Sequence, residues 1–164
     1  MNGVVSRKLV PGLVIVVLAV LLGLAACGSR SDVRIRPNWI NADIGQDTVS
    51  VSAAEVEKAG MAHFRLASGG TELVFMAYKL GNDFQVRSSI CPPCRSRSFS
   101  LQGDILVCDS CQTTFSAKTG DGVAGPCIDY PKAAVPFIVN AGKLVMKGSD
   151  LMTAYQNTLK PGRP

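Results

Sequence analysis

Two pairs of cysteines, Cys91-Pro92-Pro93-Cys94 and Cys108-Asp109-Ser110-Cys111, stand thirteen residues apart and constrain this chain more than any other feature. A CxxC turn lets two thiolates converge on one ion from a single loop. A second such turn completes a tetrahedral shell for zinc or anchors both irons of a small cluster. A fold that uses them has to bring two loops face to face, and the thirteen residues between, Arg95 to Val107, then form a hairpin arm turning at Gln102-Gly103-Asp104. The paired spacing is a metal signature; two disulfides, within or between the loops, are the other use of four such thiols.

The first residues set the compartment. Arg7 and Lys8 precede an apolar run from Leu9 to Leu22, interrupted at Pro11 and Gly12, which is short for a membrane span and right for a signal-peptide core. It ends in Leu24-Ala25-Ala26-Cys27, similar to a bacterial lipobox, so cleavage before Cys27 would leave that thiol to carry lipid. An uncleaved N-terminal anchor is the other reading, and both place the remainder outside the cytoplasmic membrane. Disulfides stay open as an alternative for this reason, since bare thiols oxidise there. Residues 1–26 are thus a lipoprotein signal peptide, 27–47 a lipidated tether, 48–148 the folded domain, and 149–164 a C-terminal helix and tail.

The balance of 17 Lys and Arg against 12 Asp and Glu is mildly positive, with no dense basic stripe and no interleaved aromatics, which excludes a nucleic-acid partner. No Ser/His/Asp set, phosphate-cradling glycine loop or paired carboxylate is present, so the chain offers no hydrolase chemistry.

The domain reads as mainly β. Ser52-Ala53-Ala54-Glu55 has the form of a capping box opening a short helical turn that Gly60 stops. Short strands are expected at residues 61–66, 72–80, 84–89, 104–108, 136–139 and 143–146, with hairpin turns at Gly69-Gly70 and Gly81-Asn82. Ser149-Asp150 would cap a last helix over 151–159 with Leu151, Tyr155 and Leu159 as its buried stripe. Within the tether, Trp39 and Ile40 are expected to dock onto the domain. Each CxxC closes a strand, as in zinc-ribbon and rubredoxin-like knuckles.

From Val49 to about Gly148 the order of features resembles a small antiparallel Rieske-like domain. Leu106-Val107-Cys108-Asp109-Ser110-Cys111 leads to Phe115, Thr119-Gly120 and Gly125-Pro126, similar to a Rieske second ligand loop. A Rieske centre needs two imidazoles on one iron; here cysteines occupy those places and His63 is the single histidine. The chain is closer to the membrane-associated FtrD-like iron-sulfur family. It carries that family's CxxC, its Gly103-Asp104-Ile105-Leu106-Val107-Cys108 strand with a second CxxC, Phe115, and Gly125-Pro126-Cys127. Ala62-His63-Phe64 and Val74-Phe75-Met76 resemble its strands. Pro92-Pro93 in the first loop and Gln112, where the family usually has glycine, are departures that leave every ligand in place.

The expected metal ligands are Cys91, Cys94, Cys108 and Cys111. The resemblance implies an iron-sulfur cluster, expected as 2Fe-2S, with zinc as the alternative, and relatives found with extracytoplasmic iron-uptake or membrane redox systems. Cys127 is a further ligand, a thiol beside the centre, or a small buried hydrophobe. His63 is either a structural strand histidine or a neighbour of the centre. Arg95 and Arg97 read as solvated charge unless they offset the thiolates. The expected role is single-electron transfer from a lipid-anchored extracytoplasmic domain to a membrane redox or metal-transport protein; a structural-zinc binding module and a thiol-disulfide protein are its rivals.

Overall fold

A computed structural model describes residues 33–162. The leader, Cys27 and the start of the expected tether lie outside the described residues. The rest of the tether corrects the expectation: Arg34–Ile35 (β1), Asn38–Trp39 (β2) and Asp43–Ile44 (β3) are strands, one on each of three sheets. Two-residue strands are too short to show a period of two, so they are silent in the sequence.

Thr48–Ser52 (β4) then runs into Ala53–Ala59 (α1), where the Ser52 hydroxyl accepts from the Glu55 N–H at 3.2 Å and Gly60, at φ 70°, ends the helix as expected. Met61–Ser68 (β5), Thr71–Leu80 (β6) and Asp83–Ser88 (β7) form a meander that turns at Gly69-Gly70 and Gly81-Asn82. Phe99–Gln102 (β8) and Ile105–Cys108 (β9) make the expected hairpin arm, and Gly103, at φ 59°, supplies its turn. Thr114–Ser116 (β10) and Gly122–Ala124 (β11) extend that sheet in the order β1-β8-β9-β10-β11.

Ile138–Asn140 (β12) begins two residues later than expected; the chain just before it is tied to β7 instead, where the Val135 N–H donates to the Val86 carbonyl at 2.9 Å. Lys143–Lys147 (β13) pairs with β12 and β4. The last helix, Gly148–Thr158 (α2), also differs: it starts before Ser149-Asp150, its N-cap is Lys147, and the Gly148 N–H is held by the Asp47 carbonyl at 3.0 Å. Its buried positions are Leu151, Ala154 and Thr158, a three-and-four spacing, while Leu159 lies exposed.

The meander is buried on both faces, which explains the unbroken apolar run of β6. Ala62, Phe64, Phe75 and Ala77 point to one core with Val49, Val51, Val56, Leu144, Met146 and Leu151. Met61, Met76 and Tyr78, at the alternate positions, point to a second core with Phe99, Leu101, Leu106, Phe115 and three of the cysteines. The cysteine loops are thus built on one face of a central sheet whose other face is anchored in a separate core.

Candidate metal centre

Both CxxC turns close in the same way. The Cys91 N–H donates to the Ser96 carbonyl at 2.8 Å, and the Cys108 N–H to that of Thr113 at 2.9 Å, each spanning five residues. The residue after each pair, Arg95 and Gln112, takes a left-handed φ of 59°. That conformation favours glycine, so both positions carry a backbone cost. The two loops are stitched together at Asp109: its N–H donates to the Ser98 carbonyl at 3.0 Å, and its carboxylate accepts from Ser98 Oγ at 2.5 Å, Ser100 Oγ at 2.6 Å and Arg34 at 2.7 Å. Burial alone would raise this carboxyl, but those three donors hold it below the usual carboxylate range.

The four expected ligands converge, and Cys127 joins them. The sulfurs of Cys91, Cys94, Cys111 and Cys127 all lie within 4.8 Å of one another. Cys108 reaches this group through Cys94, with Sγ to Sγ 3.7 Å, the same separation as between Cys111 and Cys127. Two sulfurs bound to one tetrahedral ion at about 2.3 Å sit about 3.8 Å apart, so the spacing of each pair is compatible with a shared metal. All five are free thiols. Cys91, Cys108 and Cys127 are buried, while Cys94 and Cys111 are partly open to solvent, so the centre has an inner and an outer side.

Cys127 arrives by a glycine-dependent approach. Gly125, at φ 114°, packs so close to Thr113 that a side-chain carbon there would fall 2.7 Å from the Thr113 Cα. Thr113 in turn accepts the Cys127 N–H at 3.2 Å and places its hydroxyl 3.1 Å from Cys111 Sγ.

The electrostatics favour thiolate at Cys108. A hydrogen bond from Cys91, outweighing burial and aided by the N–H groups of Cys111 and Ser110, holds Cys108 down at about 4. The donor, Cys91, is pushed up by the same bond and by burial. Burial also lifts Cys94 to about 11, whereas at Cys111 it is overcome by the Thr113 hydroxyl and N–H, which lower that thiol. Deprotonated, these thiols would form the anionic sulfur shell that zinc and iron-sulfur clusters use. This donor set, soft sulfur with N–H groups aimed at it, fits such a group.

One cation is built into the site. Lys132 is fully buried. Its ammonium donates to the Ile90 carbonyl, next to Cys91, at 2.7 Å, and lies 4.5 Å and 5.3 Å from the ring centres of Phe115 and Phe99. Burial lowers it to about 8, while Cys91, Cys108, Cys127 and Cys94 act in the opposite sense. The backbone that carries it is clamped by buried Arg87, which donates to the carbonyls of Lys132 at 2.8 Å, Thr119 at 3.0 Å and Lys118 at 2.6 Å, and to Tyr78 Oη at 3.0 Å.

His63 lies on the cysteine side of the central sheet, fully buried between Met61 and Met76 of the adjoining positions, with Ser89 Oγ 3.4 Å from its Nε2. Ser89, its partner, is two residues before Cys91 and also donates to the Arg97 carbonyl at 3.0 Å. Trp39 covers the His63 ring edge-on at 5.5 Å, as docking of the Trp39-Ile40 pair requires, and Arg65 lies 4.4 Å above the Trp39 ring. Arg95 and Arg97 are exposed, and Arg97 pairs with Glu72 at 3.6 Å.

The family model for the membrane iron-sulfur containing protein FtrD-like matches residues 56–157. The chain belongs to the FtrD-like family. Its members are described as membrane iron-sulfur proteins, and the cysteine cluster of this one is an iron-sulfur or other metal site. Among the described residues no helix is long and apolar enough to cross a membrane. A search of curated proteins gives no match. Among solved structures the chain is similar to a chain of the complex of reduced oxygenase and oxidized ferredoxin in carbazole 1,9a-dioxygenase, with 23% identity and a TM-score of 0.52 over 63% of this chain and 95% of that one. It is also similar to the Sphingomonas yanoikuyae B1 ferredoxin, with 14% identity and a TM-score of 0.43 over 71% and 98%. The first likeness bears out the Rieske-like fold.

Sequence reasoning missed Lys132, Arg87, Thr113 and Asp109. Lys132 had one faint signal, a lone charge in the otherwise apolar run Lys132-Ala133-Ala134-Val135. Arg87 acts through carbonyls more than thirty residues away, and Asp109 and Thr113, though inside or beside the second pair, gave no sign of their partners Arg34 and Cys127.

Proposed function

We propose that this protein is a lipid-anchored, extracytoplasmic electron-transfer protein, held at the membrane through Cys27, with a 2Fe-2S centre on Cys91, Cys94, Cys108 and Cys111. The observation that carries the reading is the facing pair of identically closed CxxC turns, whose four thiols meet with an inner pair, Cys91 and Cys108, buried and an outer pair, Cys94 and Cys111, reaching solvent. An iron-sulfur group supplies one-electron chemistry when bound. The chain holds it rigidly, so little reorganises with each electron, and it shields the inner thiolates from water and oxidants. The outer pair is the side on which a membrane redox or metal-transport partner approaches. Cys127 stands beside Cys111 as a thiol of the immediate surroundings rather than one of the four ligands.

A second reading has its own support. Cys91, Cys94, Cys111 and Cys127 are compact enough to share one zinc ion. One experiment separates the two. The protein is purified without oxygen, and its absorbance spectrum is recorded with iron, zinc and acid-labile sulfide per chain, for the wild type and for single serine replacements of the five cysteines. Broad visible absorbance with equal iron and sulfide, abolished in C91S, C94S, C108S and C111S but retained in C127S, is the expected result. A colourless protein with one zinc, lost in C127S and kept in C108S, would replace the cluster by a structural ion. A colourless, metal-free protein would leave the thiol-disulfide reading. For the anchor, Cys27→Ser should move the protein from the membrane fraction to the soluble one and abolish incorporation of labelled fatty acid.

A further inference from the structure

A lysine with no solvent exposure is expensive unless something compensates its charge. The surroundings of Lys132 supply a carbonyl and two ring faces, and the cysteines act on its charge in the favourable sense. The carbonyl belongs to Ile90, so the ammonium is fixed against the backbone that leads straight into Cys91. Arg87 and Gly120 fix it from the other side: a side-chain carbon at Gly120 would come within 2.1 Å of the Lys132 carbonyl and 2.6 Å of the Arg87 guanidinium. No flexible stem carries this charge to and from solvent. It is part of the frame.

Four thiolates around zinc, or around two ferric ions bridged by sulfide, leave a net negative group, and each electron added makes it more negative. In a buried site of low dielectric such a group is best stabilised by a fixed cation close by. We infer that Lys132 is the resident counter-cation of the thiolate centre and the positioning residue that raises its reduction potential. The potential rests on the iron-sulfur reading above; the charge balance holds for any thiolate-bound metal.

The full-length protein is compared with Lys132→Met, which keeps the apolar stem and loses the charge, and Lys132→Arg, which keeps the charge. Two measurements are made. The first is the midpoint potential during anaerobic titration with dithionite, in which one electron enters per centre, alongside iron and sulfide content. The second is the affinity of the metal-free protein for cobalt(II), followed by thiolate-to-cobalt absorbance. In K132M the potential should fall by about 59 mV or more, a tenfold shift in a one-electron equilibrium, and cobalt(II) should bind at least tenfold more weakly. K132R should stay within half of that shift. A fully loaded K132M with the wild-type potential would overturn the inference. Should K132M fail to load, loading in K132R supports a requirement for charge, and failure in both variants overturns it in favour of a packing role. Should the wild type carry no iron, the electron-transfer reading falls by itself. Cobalt(II) affinity then decides alone: equal affinity in K132M and wild type sinks the counter-cation.

Discussion

Two non-glycine residues hold left-handed backbone at corresponding points of the two knuckles, and they are not equivalent. Gln112 has compensation: its amide donates to the Asp109 carbonyl at 3.0 Å and accepts from Arg34 at 3.1 Å. Arg95 is exposed. Left-handed φ costs an ordinary residue about 1 kcal/mol relative to glycine. Arg95→Gly should therefore stabilise the protein by about 1 kcal/mol in denaturant unfolding, and Gln112→Gly should give a smaller gain or none. His63 makes a different prediction. Burial lowers its imidazole from 6.5 to about 4, against the opposing charge of Asp109. A group depressed in the folded state adds stability that is full above its unfolded pKa and is lost as pH falls through the folded one. Wild type should thus lose about 3 kcal/mol between pH 7 and pH 4 that His63→Gln does not lose. Equal losses would show that the imidazole is not held neutral by the fold. The sequence placed His63 on a strand and named the five thiols, because those are properties of residue type and spacing. It was silent on Lys132, forty-two residues from Ile90, and on the bond from the Cys127 N–H to Thr113, because these form only once the later loops have closed.

At the scale of elements, local rules did well wherever a turn or cap is made by adjacent residues. The Ser52 cap, the Gly60 stop, the Gly69-Gly70 hairpin and the Gly103 arm all formed as the residues require. They failed where tertiary pairing decides. β1, β2 and β3 exist because β8, β5 and β4 offer open edges, and α2 starts early because Asp47, a hundred residues upstream, binds its first N–H. The loop that delivers Cys127 belongs to the same class, and its glycine can be tested. Gly125 and Gly103 both have positive φ, but only Gly125 lies against another segment; around Gly103 nothing stands within 4 Å. Gly103→Ala should cost about 1 kcal/mol, from backbone strain alone. Gly125→Ala adds a clash with Thr113 and should cost about 2–4 kcal/mol while opening the separation of Cys111 and Cys127. Unfolding curves compare the two costs, and the rate of Cys127 alkylation in the metal-free protein reports the opening. Equal costs for the two glycines would mean that the 125–127 loop does not seat on Thr113.

For the molecule as a whole, the decisive feature is that the central meander serves two cores and only one of them contains cysteine. The core with Val49, Phe64, Phe75, Leu144 and Leu151 closes without any group from the metal centre. The other places Cys91, Cys108 and Cys127 among Phe99, Leu106 and Phe115, so the thiols are part of its packing and the metal is part of its cohesion. Neither core was visible as a unit in the sequence, since β6 contributes alternate residues to each and reads only as one apolar run. The consequence is a directional response to metal removal. Chelation under reducing conditions leaves mutually repelling thiolates, or thiols too far apart to replace the lost bonds, inside the second core. Amide exchange should then accelerate at Cys91, Cys108 and along β8, β9 and β10. The β4–β13 pairing and α1, seated on the first core, should keep most of their protection, because opening free energies differ between cooperative units of one domain. The meander between them should respond unevenly. Its ladder is anchored by Phe64 and Phe75 on one side, so β5 and β6 should remain protected even as Met61, Met76 and Tyr78 lose their partners on the other. Exchange measured with and without metal, residue by residue, tests this. A uniform rise across both cores would show that the protein opens as one unit and that its metal holds the entire fold.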